Sequence, residues 1–203
     1  TPGSRICREV EDTAQQEPVE YDWAGRTARQ VGEIVHLWLQ RIAAEGLKNF
    51  DAAKIEKLQP AFRRMLRKLG TDPDQLDEAL GNITAALINT VTDERGRWIL
   101  SREHQQAASE YSMTVASGAR YEHVVLDRTF VTDGGERWII DYKTSSHEGG
   151  DLEAFLESET SRYLSQLQRY AAAMAEKDNL PIRAALYFPL LKIFHEVPVD
   201  GSK

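Results

Sequence analysis

The chain has 203 residues, 41% of them hydrophobic and 28% charged, which is typical of a globular protein with one good-sized core. Its formal net charge of −7 argues against a general nucleic-acid coat, although clustered metal-binding carboxylates would add negative charge of their own. No apolar run approaches a membrane span, and the single Cys7 excludes an internal disulfide and a four-cysteine zinc or iron–sulfur site. We therefore expect a cytoplasmic protein without a membrane partner.

The first half of the chain is predicted to be helical after a polar lead-in. Residues 1–22 show little periodicity and indicate a mobile linker, so we place the folded domain at residues 23–203. Apolar residues then recur at helical spacing, with glycines at the helix ends and Asp72 before Pro73 as a cap. The pattern predicts three helices, at residues 24–47, at 49–69 and from Asp72 to about Thr90.

The second half is predicted to be rich in strands. Gly96 separates it from the helical half, and the short apolar run from Arg97 to Leu100 is compatible with either type of structure. Three helices followed by a strand meander, a helix and one or two strands make the fold α+β or mixed α/β. The predicted elements are a strand from Gln106 to Ala116, a hairpin over 121–143, a loop over 144–150, a helix over 151–177 and strands over 184–188 and 192–197.

The hairpin over 121–143 carries the chemistry that suggests a function. Its turn is centred near Gly134, so the numbers of paired residues should add up to about 268, which sets Asp127 opposite Asp141. Lys143 shares the face of Asp141 because side chains alternate along a strand. Two facing carboxylates with an ammonium beside them suit a hard divalent cation and an activated water. The alternative is a solvated hairpin face with an ordinary Asp–Lys contact.

Two further residues join this pair. A turn centred near Gly118 places Glu110 opposite Asp127, so three acids lie in a row across three strands. His36 lies at the edge of the first helical stripe, one turn after Gly32, and Gly32 indicates the close approach of another backbone. His36 is a metal ligand or, alternatively, a helix-edge histidine bonded to a neighbour.

The later helix carries polar side chains on one face. Gln166 and Tyr170 are spaced i, i+4 and share that face with Tyr163. An amide and a phenol could bond phosphate oxygens or orient the carboxylates of a metal site. The alternative is an amphipathic helix with a tyrosine dipping into the core.

Four short motifs together resemble the RecB-like nucleases, a branch of the PD-(D/E)XK superfamily. Over residues 22–190 the sequence is similar to the C-terminal nuclease domain of UvrD/AddA-type helicase-nucleases. The one departure is Val124, where the family usually has glycine. The motifs, in family order, are Gly32-Glu-Ile-Val-His36, Val124-Val-Leu-Asp127, Asp141-Tyr-Lys143 and Gln166-Leu-Gln-Arg-Tyr170.

The resemblance implies a fold and a cofactor. The expected fold is a restriction-endonuclease-like core, a mainly antiparallel or mixed central sheet flanked by helices, with an N-terminal helical part. The expected cofactor is Mg²⁺ or Mn²⁺, without an iron–sulfur cluster. The implied ligands are His36, Asp127, Asp141 and the main-chain carbonyl of Tyr142, with Glu110 as a further acid.

The resemblance also implies an activity, metal-dependent hydrolysis of DNA, with an exonuclease favoured. Lys143 is expected to orient the attacking water, Gln166 and Tyr170 to position the strand or the ligands, and Arg128 to contact a phosphate. The expected partners are single-stranded DNA, a helicase portion of the same longer polypeptide and a second subunit, in DNA repair or recombination. Two rival functions stay open: a catalytically silent DNA-binding or scaffold module of a helicase, and a metal-dependent hydrolase with another substrate.

Overall fold

A computed structural model describes residues 19–117, 120–145, 147 and 149–199. The predicted lead-in falls almost wholly outside these residues, and Gly118 and Ala119 of the predicted turn are outside them too. The elements follow the mixed order expected from the sequence. They are α1 Val19–Glu45, α2 Ala52–Lys57, α3 Gln59–Lys68, α4 Leu76–Thr92, α5 Glu94–Ile99, β1 Gln105–Ser117, β2 Arg120–Val131, β3 Arg137–Tyr142, α6 Leu152–Ala175, β4 Ile182–Phe188 and β5 Ile193–Val197.

The five strands form one mixed sheet in the order β1-β2-β3-β4-β5. β1, β2 and β3 are an antiparallel meander, as predicted. β4 lies parallel to β3, and the connection between parallel neighbours requires a crossover, which α6 supplies. β5 returns antiparallel to β4. The predicted α+β class and mixed sheet are therefore confirmed.

Both predicted strand registers are confirmed. Arg128 pairs with Ile140, so the numbers of paired residues in β2 and β3 add up to 268. Tyr111 pairs with Leu126, so those in β1 and β2 add up to 237. The hairpin turn and the side-chain alternation were enough to determine this pairing.

The sheet separates two hydrophobic cores. Trp138, Ile140 and Tyr142 pack toward α1–α5, in a core that includes Leu39 of α1. Ile139 packs on the opposite face, under α6. The predicted alternation along β3 is thus confirmed. Each helix in the described part of the chain is too short or too polar to span a lipid bilayer.

Two predictions about the helical half need correction. The single helix expected over 49–69 is two helices, α2 and α3, which meet at Leu58 because Pro60 lacks the N–H that a continuous helix would use. The run from Arg97 to Leu100, whose type the sequence left open, supplies the second half of α5 and the residue that follows it. Asp72 caps a short 3₁₀ turn, Pro73–Gln75, rather than α4 itself.

Gly96 lies inside α5 instead of marking a boundary between the two halves of the chain. A Cβ atom at this position would collide with the Thr90 carbonyl and would lie 2.6 Å from the Tyr187 hydroxyl. The glycine therefore permits close packing of α5 against its neighbours.

Candidate metal centre

A cleft of about 890 Å³ opens where β3 ends, between α1 and α6. Gly32 and His36 of α1 line one wall, and Lys143 and Tyr163 line the other. Glu110 of the edge strand β1 also borders it. Two of the four predicted motifs have residues in this cleft, Asp127 of a third contacts His36, and Gln166 of the fourth bonds to Asp141, the partner of Lys143.

Asp127 terminates the pairing of β2 with β3. The ladder ends at Arg128 and Ile140, and the next free backbone N–H, that of Tyr142, donates to Asp127 Oδ2 at 2.8 Å. The side chain therefore replaces a ladder bond, which holds the carboxylate beside the end of β3. Its second oxygen, Oδ1, remains available and faces α1.

His36 reaches this point from α1. Its Nδ1 lies 3.4 Å from Asp127 Oδ1, and its Nε2 lies 3.1 Å from the Tyr142 main-chain oxygen. Gly32, one turn earlier, lets the segment after β3 approach, because a Cβ there would be 3.1 Å from Thr144 Oγ1. The sequence predicted that another backbone approaches Gly32, but the approaching group is the Thr144 side chain. This contact brings the end of β3 against the helix that carries His36.

Glu110 enters the cluster through an unusual backbone. Its φ is +49°, in the left-handed region, which costs a non-glycine residue roughly 1–2 kcal/mol. Ligand atoms of His36, Glu110 and Asp127 all lie within 4.8 Å of one another. Strain at such a cluster is typical of a functional site.

Asp141 is the most buried acid of the group, with 5% of its surface exposed. Its Oδ2 lies 2.5 Å from Lys143 Nζ, and its Oδ1 accepts a hydrogen bond of 3.3 Å from Gln166 Nε2. Burial, followed by the charge of Asp127, raises the pKa of Asp141 to about 6 although Lys143 opposes the shift. Asp141 lies outside the 4.8 Å cluster and is electrostatically coupled to it through Asp127.

Residues of α6 support this acid and its lysine. Gln166 Nε2 also contacts the Tyr170 hydroxyl at 2.7 Å, so the predicted polar face meets Asp141 directly. Lys143 Nζ lies 3.6 Å from the centre of the Tyr163 ring, which fixes the ammonium by a cation–π contact. The sequence places Tyr163 on this face, and its spacing of three from Gln166 is the signal for a role beside Asp141 and Lys143.

A second unpredicted support holds the segment after β3. Glu159 of α6 is 7% exposed, and its carboxylate accepts a hydrogen bond of 3.1 Å from Ser145. Its place in the middle of an amphipathic helix offered no sign of this contact. The bond ties the segment that follows Lys143 to α6.

The cluster favours protons when no cation is present. For His36, burial lowers the pKa, but the hydrogen bond and charge of Asp127 outweigh it and the pKa is raised. Burial and the charge of Asp127 raise the pKa of Glu110. An imidazolium at His36 would donate to both Asp127 and the Tyr142 carbonyl, so a proton satisfies the same acceptors that a cation would.

The donor set fits a divalent metal ion. Carboxylate and carbonyl oxygens suit Mg²⁺ and Mn²⁺, and imidazole is also a ligand for first-row metals. His36, Asp127 and the Tyr142 carbonyl converge directly, Glu110 joins them, and Asp141 adjoins the group through the Tyr142 backbone. A cation would also relieve the repulsion that raises the pKa of Asp141.

Arg128 lies away from this cluster. It is 4% exposed, on the α1 side of the sheet, and donates to the Ile99 and Ser101 carbonyls and to Ser109 Oγ. Its guanidinium thus fastens β2 to the segment between α5 and β1. The contact with a phosphate that the sequence suggests for Arg128 stays a prediction.

The sequence matches one protein family. A family model described as the PD-(D/E)XK nuclease superfamily matches residues 13–198, nearly the whole chain. Among solved structures the chain is similar to protein VC1899 from Vibrio cholerae, at 18% identity and a TM-score of 0.31. That match covers 81% of this chain and 47% of the other, so the chain spans about half the length of that protein. No curated protein matches.

Proposed function

The chain belongs to the PD-(D/E)XK nuclease superfamily, and from that premise we propose that it is a deoxyribonuclease dependent on Mg²⁺ or Mn²⁺. We further propose that it is RecB-like, that it cuts single strands as an exonuclease, and that its setting is the cytoplasm. The order of its four motifs supports the RecB-like assignment. In particular, the G-x-x-x-H helix supplies an imidazole at hydrogen-bond distance from the strand end that carries D-x-K.

One observation carries the proposal. His36 of α1, Asp127 of β2 and the carbonyl of Tyr142 on β3 meet at one point, beside the buried Asp141–Lys143 pair. Three separated segments of the chain therefore deliver oxygen and nitrogen ligands next to an ammonium. A core stabilised only by packing has no need of this arrangement, because buried charges cost free energy unless a partner satisfies them.

His36, Asp127, Asp141 and the Tyr142 carbonyl would hold the cation, with Glu110 at the open side. When bound, a divalent cation polarises the scissile phosphate and lowers the pKa of the attacking water. Lys143 stands beside Asp141 with its Nζ directed by Tyr163, so it can orient that water and steady the charge that develops on phosphate oxygens. Gln166 keeps Asp141 Oδ1 turned toward α6, and Tyr170 holds the Gln166 amide in place.

The wider setting is also a proposal. We propose that the chain is the nuclease domain of an ATP-dependent helicase-nuclease in DNA repair or recombination, with the helicase portion and a second subunit as partners. The similarity of residues 22–190 to such domains supports this. The acidic balance agrees with it, because a domain of net charge −7 benefits from a partner that holds the DNA.

A cleavage assay tests the nuclease. Purified protein is incubated with end-labelled single-stranded and duplex DNA in Mg²⁺, Mn²⁺ or EDTA, and the product ladder gives the mode and polarity of cutting. Metal-dependent cutting that is lost in Asp141→Asn supports the enzyme. DNA binding without metal binding or cleavage supports the catalytically silent module. Metal binding without DNA cleavage supports a hydrolase with another substrate.

A further inference from the structure

Arg128 carries a buried charge without an acidic partner. Within the described chain no carboxylate lies within ion-pair distance of its guanidinium, which donates hydrogen bonds to two main-chain carbonyls and a serine hydroxyl and lies 5.8 Å from the centre of the Phe130 ring. These contacts use three of its five N–H donors. Burial of a charge that lacks a counter-ion is costly, so this arginine calls for an explanation beyond fastening two segments.

The guanidinium borders a second concavity, of about 360 Å³, on the α1 side of the edge strand. Exposed Arg102 and Ala44 and half-buried Gln40 line it together with Arg128. None of its described lining residues is acidic, although the protein as a whole carries a net charge of −7. Two arginines among the lining residues, with no carboxylate among those described, favour an anion there.

This hollow adjoins the metal centre. Gln40 lines both concavities, one helical turn after His36. Each of the two strands contributes neighbouring residues to the two sites. On β1, Ser109 lines the hollow and Glu110 belongs to the metal cluster; on β2, Arg128 lines the hollow and Asp127 belongs to the metal cluster. Consecutive residues of one strand are about 3.8 Å apart at Cα, so a chain crossing the edge strand at Glu110 would reach both sites.

We propose that the hollow bounded by Arg102, Arg128 and Gln40 binds a phosphate group of the nucleic-acid strand whose neighbouring phosphodiester lies at the metal centre. The inference rests on the proposed nuclease function and adds the path of the bound nucleic acid, which runs from the metal centre past Glu110 to Arg102. The ligand is either an internal phosphodiester or a terminal phosphate, since both present the same oxygens to a guanidinium.

The variants change the exposed lining residues Arg102 and Ala44, because Arg128 also makes structural hydrogen bonds. Arg102→Ala removes one guanidinium and Ala44→Glu adds a charge that repels a phosphate. Ala44→Lys places a side chain of similar length but opposite charge at the same position. Arg64→Ala, an exposed arginine on α3, is the control. Binding of fluorescent single-stranded oligonucleotides, with and without terminal phosphates, is measured by anisotropy in EDTA over a range of potassium chloride concentrations.

Arg102→Ala and Ala44→Glu should weaken binding about tenfold, and Arg102→Ala should reduce the slope of log affinity against log salt by about one. Ala44→Lys and Arg64→Ala should bind as well as the wild type or better. A defect seen only with a terminal phosphate identifies an end-binding site, and a defect with every oligonucleotide identifies an internal phosphodiester.

Two results would overturn the inference: wild-type protein that does not bind in EDTA, or cavity variants within twofold of it on every oligonucleotide. Either is distinguishable from failure of the proposed nuclease, which is measured separately as metal-dependent cutting by the wild type.

Discussion

His36 and Asp127 are 91 positions apart in the chain, yet His36 Nδ1 lies 3.4 Å from Asp127 Oδ1. The other ring nitrogen lies 3.1 Å from the Tyr142 carbonyl. The imidazole therefore joins a helix, the end of β2 and the end of β3 at one point. In the metal-free protein a proton on His36 holds together groups that a cation would otherwise join.

The first prediction concerns pH and stability. A folded-state pKa above the ordinary value means that a group favours folding at low pH and that this contribution is lost as pH rises through the folded value. The pKa of Asp141 rises from 3.8 to about 6, so its contribution to the stability of the metal-free protein should be lost between about pH 4 and pH 6. The pKa of His36 is raised above its ordinary 6.5, so further stability should be lost as the pH rises above 6.5. Because a cation competes with these protons, Mn²⁺ should raise the Tm more at pH 8 than at pH 5. Differential scanning fluorimetry at each pH, with and without Mn²⁺, measures both effects. An equal shift at pH 5 and pH 8 would contradict the account.

The second prediction concerns Asp141. The raised pKa of Asp141 means that its charged form is disfavoured in the folded metal-free protein, and Asp141→Asn replaces it with a neutral side chain of the same shape, so the variant should be at least as stable as the wild type at pH 8. DNA cutting should fall by at least about 100-fold, because a ligand is lost. Asp133→Asn, at an exposed acid in the turn of the same hairpin, is the matched control and should change neither property. Urea unfolding and single-turnover cleavage make the comparison.

The third prediction separates Lys143 from its support. Lys143→Met should reduce cutting by at least about 100-fold and leave Mn²⁺ binding intact, since the lysine acts on water and phosphate. Tyr163→Leu removes the ring under the ammonium and should reduce cutting roughly 3- to 30-fold, the worth of a cation–π contact. Tyr163→Phe keeps the ring and should restore near-normal rates. If Tyr163→Phe were as slow as Tyr163→Leu, the hydroxyl rather than the ring would be responsible.

The fourth prediction concerns Gly32. In Gly32→Ala the new Cβ would press on Thr144 Oγ1, 3.1 Å away, and shift the segment that begins at Lys143, so activity should drop. Removing the oxygen in the double variant Gly32→Ala/Thr144→Ala should recover it. Gly81→Ala, on α4 with no atom within 4 Å, should instead add about 0.5–1 kcal/mol of stability without affecting cleavage. An unchanged cleavage rate in Gly32→Ala would show that the spacing of α1 and β3 does not matter.

The sheet could be predicted because its determinants are local. A turn at Gly134 and strict alternation around Ile139 were sufficient to set the register that brings Asp127 beside the end of β3, and the same reasoning set the register of β1 against β2. The helix that carries His36 could also be predicted, because its apolar residues recur at regular helical spacing. What no local pattern could reveal is how α1 lies against the end of β3, because that depends on packing between distant segments.

The other contacts that the sequence does not reveal have the same origin. Arg128 bonds to the Ile99 and Ser101 carbonyls, which lie 29 and 27 positions earlier in the chain. Tyr163 received no role because its partner, Lys143, lies 20 positions earlier in the chain. The left-handed backbone conformation of Glu110 could not be predicted either, because nothing about a glutamate in a strand indicates a positive φ.

The central claim is that His36, Asp127, Asp141 and the Tyr142 carbonyl hold one divalent cation beside Lys143. A crystal soaked in Mn²⁺ and measured at the manganese absorption edge tests it most directly. The account predicts an anomalous peak at about 2.0–2.4 Å from a His36 ring nitrogen, from oxygens of both aspartates and from the Tyr142 oxygen. A manganese ion bound elsewhere, or a peak that Asp127 and Asp141 do not contact, would contradict it.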